Sequence, residues 1–107
     1  MLLIPKNMEV ESMETIIMNA QERDDEQYDF YDVPAVCTPN FLYAFGEEAL
    51  WIGHLALMMI KERYPEGNWD YLQTFRFRGI DFWIISDAPR GEDIIDRHIT
   101  FLLPEDY

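Results

Sequence analysis

Cys37, His54 and His98 are the side chains best suited to covalent or metal chemistry in this chain of 107 residues. A thiolate beside an imidazole makes a nucleophile–base pair. Cys37 follows the short apolar run Val33 to Val36 and has no local basic neighbour, which reads more readily as a small structural thiol. His54 lies in an apolar stretch with Glu47, Trp51 and Met58 as near-face neighbours if that stretch is helical. The chain contains no His-x-x-x-His, Cys-x-x-Cys or Glu-x-x-His spacing, so no zinc or di-iron site and no cofactor is expected. Its glycines form no phosphate loop. Carboxylates are so numerous that pairing them is not diagnostic, and a glycosidase-type pair needs a substrate cleft between two positioned groups. A small enzyme or ligand-binding domain built on Cys37, His54 and nearby aromatics therefore stands as the alternative reading.

The carboxylates suggest recognition instead. Asp24 to Asp32 reads DDEQYDFYD, placing Asp24, Asp25, Glu26, Asp29 and Asp32 in one run broken only by Gln27, Tyr28, Phe30 and Tyr31. Arg23 is its one basic neighbour. The chain has 21 acidic and 8 Lys or Arg side chains, a net charge of −13. Such a chain repels phosphate backbones, so direct nucleic-acid binding is not expected. The FRFRGIDF stretch alternates aromatic and basic residues, but it does not match the ribonucleoprotein consensus, and its Phe residues read as core. Acidic groups interleaved with aromatics suit a basic, partly apolar groove on a partner protein. The bland reading of the same run is a solvated acidic connector with its aromatics tucked inward.

Those residues need elements to position them. Trp69 to Asp87 holds two apolar-alternating runs around Arg78-Gly79, which predicts a β-hairpin. Tyr71, Gln73, Phe75 and Phe77 share one side of the first strand. Ile80, Phe82 and Ile84 share a face of the second, opposite Asp81, Trp83 and Ile85. Arg76 and Arg78 are placed to pair with Asp81. Glu47 to Tyr64 predicts the main helix. Acids lie at its start, Lys61 and Arg63 near its end, and Pro65 stops it. Trp51, Leu55, Met58 and the stem of Glu62 share one face, and Leu50, Leu57 and Ile60 widen it, so burial around much of the circumference is expected. From Glu9 to about Arg23, Met13, Ile16, Ile17 and Ala20 recur at helical steps and predict an N-terminal helix. Residues 1–7 read as an extended arm and Val33 to Cys37 as a short strand. Phe41 to Phe45 fits either strand or helix. Ala88 to Asp93 is a loop, and Arg97 to Leu103 a last strand.

Val33 to about Ile85 resembles a small family of Gram-positive bacteria and phages called domain of unknown function 960. The shared features are the short strand ending near Thr38, a helix containing Leu50-Trp51, and Asp70-Tyr71-Leu72-Gln73 followed by Phe75. The family's glutamine-glutamate-proline segment is replaced here by Ser86-Asp87-Ala88-Pro89, and the acidic N-terminal third lies outside the resemblance. The resemblance implies a small α+β domain from bacteria or mobile elements and carries no activity.

The length suits one domain. A lone cysteine excludes an intramolecular disulfide and fits a reducing, cytoplasmic setting. No run is long enough to span a membrane. The expected fold is α+β: a three- or four-stranded, mainly antiparallel sheet packed by one main helix, with an N-terminal helix added. The expected function is non-enzymatic. It is that of a phage or mobile-element inhibitor, of anti-CRISPR or DNA-mimic type, that covers a basic nucleic-acid-binding surface of a partner. A structural accessory subunit is a further alternative.

Overall fold

The computed structural model describes residues 15–91 and 97–107. The expected arm over residues 1–7, and the part of the expected N-terminal helix before Thr15, lie outside the described residues. Among the described residues, five strands form one mixed sheet: β1 (Ile17–Met18), β2 (Ala35–Cys37), β3 (Leu72–Phe77), β4 (Ile80–Ser86) and β5 (Ile99–Leu102), in spatial order β1-β3-β4-β5-β2. Helices α1 (Pro39–Phe45) and α2 (Ala49–Arg63) are joined by a 3₁₀ turn over Gly46–Glu48. The α+β class holds.

The hairpin is built as its pattern dictates. β3 and β4 pair antiparallel from Leu72↔Ile85 to Phe77↔Ile80. Arg78 and Gly79 both take positive φ, 52° and 76°. That is the two-residue turn whose twist matches the strands, and Gly79 takes this conformation without the cost a side chain adds. Arg76 bonds Asp81 across the ladder at 2.8 Å, whereas Arg78 reaches Glu48 at 2.7 Å.

Two features differ from the sequence expectation. The sheet has five strands and is mixed, because β2 lies parallel to β5 with Ala35↔Ile99, Val36↔Thr100 and Cys37↔Phe101 in register. Residues 15–23 contain no helix. Ile17–Met18 is a strand, antiparallel to β3 through Ile17↔Arg76 and Met18↔Phe75. The stretch Ile16-Ile17-Met18 satisfies a period of two as well as helical spacing, with Ile16 and Met18 packed on the core and Ile17 exposed. The edge of β3 supplies backbone hydrogen-bond partners and its face supplies packing for Ile16 and Met18, so tertiary context decides the conformation.

The core lies between the helices and one sheet face. Phe75 stacks on Phe82 at 5.1 Å, and Phe41 packs against Phe45, Phe82 and Phe101. The residues α2 buries are mostly small: Ala49, Ile52, Gly53, Ala56 and Ile60. The sheet's phenylalanines fill the layer, so the helix must approach closely. A Cβ at Gly53 would sit 3.1 Å from the Phe101 ring. In consequence Leu50, Trp51 and Met58, expected to help cover the core, are 68%, 47% and 53% exposed.

Thr38 caps α1. Its Oγ1 accepts from the Phe41 N–H, and Pro39 occupies the first turn, where its missing N–H costs nothing. The Thr38 hydroxyl donates to Asp106, which also accepts from Asn40 and from the Leu103 N–H. These bonds hold the Asp106 carboxyl below its usual range and tie the start of α1 to the chain after β5.

Candidate partner-binding surface

The acidic run is fixed by polar side chains beneath it. Gln21 is the hub. Its backbone N–H donates to the Tyr64 hydroxyl at 3.0 Å, and its Nε2 donates to Asn68 C=O at 2.7 Å and to Asp24 Oδ1 at 3.0 Å. Its Oε1 accepts from the Asp70 N–H and from Gln73 Nε2. Asp70, almost fully buried, accepts from the Arg23 and Tyr71 N–H groups. Asn68 donates to the Asp24 carbonyl. The backbone through Asp24 is thereby anchored at several points, while Asp24 and Asp25 are exposed. Glu26 pairs with Arg23 at 3.0 Å. Glu22, outside the run defined from sequence, is exposed on the same loop.

The second half of the run crosses the surface as an added layer. Tyr28 N–H donates to Trp69 C=O, Asp29 N–H to Ala88 C=O, and Arg90 N–H to Gln27 C=O. The Ser86 hydroxyl donates to Asp29 C=O. Phe30 enters the core at 1% exposure. Tyr31 packs edge-on against Trp69 at 4.9 Å, and its hydroxyl donates to Leu57 C=O. Asp29 is engaged within the fold. Its Oδ1 accepts from the N–H groups of Tyr31 and Asp32, and its Oδ2 lies 3.7 Å from Arg97. Asp32 is exposed and leads into β2.

The structure thus groups Asp24, Asp25 and Glu26 on one anchored loop, gives Asp29 to a turn, and leaves Asp32 beside β2. The cations of the described residues are largely engaged: Arg76 and Arg78 in ion pairs, Lys61 over the Tyr31 ring, Arg90 over the Trp69 ring, and Arg63 on the Met18 carbonyl. Asp24, Asp25 and Asp32 have no ion pair among the described residues.

No family model, no curated protein and no solved structure matches the chain.

A groove of about 560 Å³ opens between α2 and the segment from Phe30 to Ala35, with Tyr31, Val33, Ala35, Leu57, Met58 and Ile99 among its walls. His54 is exposed on its rim. Cys37 is half-buried, and burial pushes its thiol up, away from the reactive thiolate. No hydrogen bond joins Cys37 to a histidine among the described residues, and His98 instead lies 3.4 Å from Asp87. No cluster of three metal-ligating side chains occurs among the described residues, and no described helix is long and apolar enough to cross a membrane.

Sequence reasoning missed Gln21, Asn68, Asp70 and Gln73. One signal was present. Gln73 shares a strand face with Phe75 and Phe77, and a polar residue on a core face requires partners.

Proposed function

We propose that this chain is a non-enzymatic interaction protein that presents Asp24, Asp25, Glu26 and Asp32 to a basic, nucleic-acid-binding surface of a partner protein and blocks it. The observation that carries this reading is the anchoring of the acidic loop. Carboxylates that only solvate a connector need no fixed backbone, whereas carboxylates that meet a cationic groove lose less entropy if they are already in place. Here Gln21, Asn68 and Asp70 hold the loop from below, and Asp24, Asp25 and Asp32 lack ion pairs among the described residues, while Glu26 pairs with Arg23. Asp29 contributes to the field while its carboxylate closes the turn. The net charge of −13 adds a long-range attraction for cations that raises association rates. A phage or mobile-element inhibitor, of anti-CRISPR or DNA-mimic type, is the concrete form, and the bacterial or mobile-element setting is what the resemblance of Val33 to Ile85 implies.

The test uses a partner recovered from cells that carry the protein. The wild-type chain should displace DNA or RNA from that partner, with association slowing as salt rises because exposed charges are screened over about 8 Å at physiological ionic strength. The triple variant Asp24→Lys, Asp25→Lys, Asp32→Lys should associate at least about tenfold more slowly and lose the competition, with a smaller change in dissociation. A folded triple variant that competes like wild type sinks this reading.

A further inference from the structure

We propose that the groove between β2 and α2 receives an extended, cationic peptide segment of a partner protein, added as an extra strand on the open edge of β2. This rests on the reading of the chain as an acidic interaction protein and specifies a second, separate contact. Among the described residues β2 is a terminal strand of the sheet, with β5 on one side. Ile99 N–H donates to Pro34 C=O and Thr38 N–H donates to Phe101 C=O. Strand backbone groups alternate in direction, so those of Pro34, Val36 and Thr38 face β5 and those of Ala35 and Cys37 face outward. An added strand would satisfy the outward groups. Its side chains on the helix side would enter the groove, which is walled by Ala35 and Val33 on one flank and by Leu57 and Met58 on the other. An edge strand beside a helix with apolar walls is a recurring arrangement for strand addition, in which main-chain bonds supply affinity and alternate side-chain pockets supply selectivity. The contact is short, because β2 spans only Ala35–Cys37 and α1 begins at Pro39.

Charge selects the occupant. Asp32 is exposed just before β2, and Glu62 stands on the α2 wall. Among the described residues of the wall, the Lys61 ammonium lies 5.2 Å from the centre of the Tyr31 ring. A segment with apolar residues in alternation and Lys or Arg at its flanks is attracted, whereas a second copy of this chain brings another −13 charges and is repelled.

A display library of random octapeptides, selected against the whole chain, tests this. Enriched sequences should alternate apolar residues and carry Lys or Arg. A synthetic enriched peptide should shift the amide resonances of Ala35, Cys37 and residues 54–62. Ala35→Pro removes an outward N–H, and Met58→Lys, at a half-exposed position that tolerates it, puts a like charge on the groove wall. Each should weaken the peptide at least about tenfold, a hot-spot-sized loss. Asp24→Lys with Asp25→Lys should change it by less than about threefold. The nucleic-acid competition reads the acidic loop and the peptide titration reads the groove, so either can fail alone. No enrichment, enrichment of acidic peptides, shifts centred on residues 21–26, or full affinity in a folded Met58→Lys would each overturn the proposal. Resonance changes at Ala35 and Cys37 that follow protein concentration without peptide would overturn it in favour of a second copy.

Discussion

Tyr31 joins the acidic segment to α2, and its chemistry gives that junction a pH limit. Burial pushes its hydroxyl from the ordinary 10.0 up to about 12. The unfolded chain therefore loses this proton first as pH rises. The stability that the neutral hydroxyl contributes is complete below pH 10 and drains away towards about pH 12. Tyr31→Phe should cost about 1 kcal/mol near neutrality, the value of one lost hydrogen bond, and should flatten this alkaline limb. Urea unfolding at about pH 8 and about pH 11 measures both effects; an equal loss of stability in the two proteins between those points would dismiss Tyr31 as the cause. Asp29 and Asp25 make a contrasting pair. Asp29→Ala leaves the N–H groups of Tyr31 and Asp32 without their acceptor and should destabilise by about 1–3 kcal/mol. Asp25→Ala, at an exposed position, should stay within about 0.5 kcal/mol of wild type. Denaturant midpoints of the two variants separate the acid that builds the turn from the acid that faces solvent. No sequence pattern distinguishes these carboxylates, because the difference lies in which backbone N–H groups curl towards each one.

At the scale of elements, the fit of α2 on β5 depends on Gly53. Alanine in a helix interior is normally favoured over glycine by about 1 kcal/mol. Here the added Cβ meets the Phe101 ring at 3.1 Å, and overpacking of this kind costs about 1–3 kcal/mol. Gly53→Ala should therefore lower the melting temperature despite the gain in propensity; a rise would mean that the ring yields freely. The local elements were legible in the sequence. The β3–β4 hairpin, the span of α2, the strand near Ile99 and the α+β class follow from short-range periodicity, turn residues and Pro65. Three things were not. The parallel pairing of β2 with β5 joins residues distant in the chain, and no local signal encodes it. The Ile16 to Met18 stretch fits two periods, and only the edge of β3 chooses between them. The exposed side of α2 reads as core because Leu50, Trp51 and Met58 outweigh Ala49, Gly53 and Ala56 in hydrophobicity, although the small residues are the ones that allow close approach. The groove follows from that choice, since its walls come from three separated segments.

For the molecule as a whole, charge and strand order set the behaviour. A net charge of −13 on one small domain repels itself, and most of its described cations are already engaged. Added sodium chloride should raise the melting temperature, because the screening length falls from about 30 Å at 0.01 M to about 8 Å at 0.15 M. The exposed ion pairs that salt also weakens are worth at most about 1 kcal/mol each. A melting temperature that falls over this range would show that attraction, not repulsion, dominates the surface. The order of strands also has a consequence in time. β2 leaves the ribosome long before its partner, since Cys37 pairs with Phe101. At about 5–20 residues per second, the strand waits roughly 3–13 s for β5 to be synthesised. During that interval both edges of β2 are bare, and Val36, still 47% exposed in the finished fold, lies between them. The nascent chain thus offers other chains in the cell a strand to pair with before its own partner has been made.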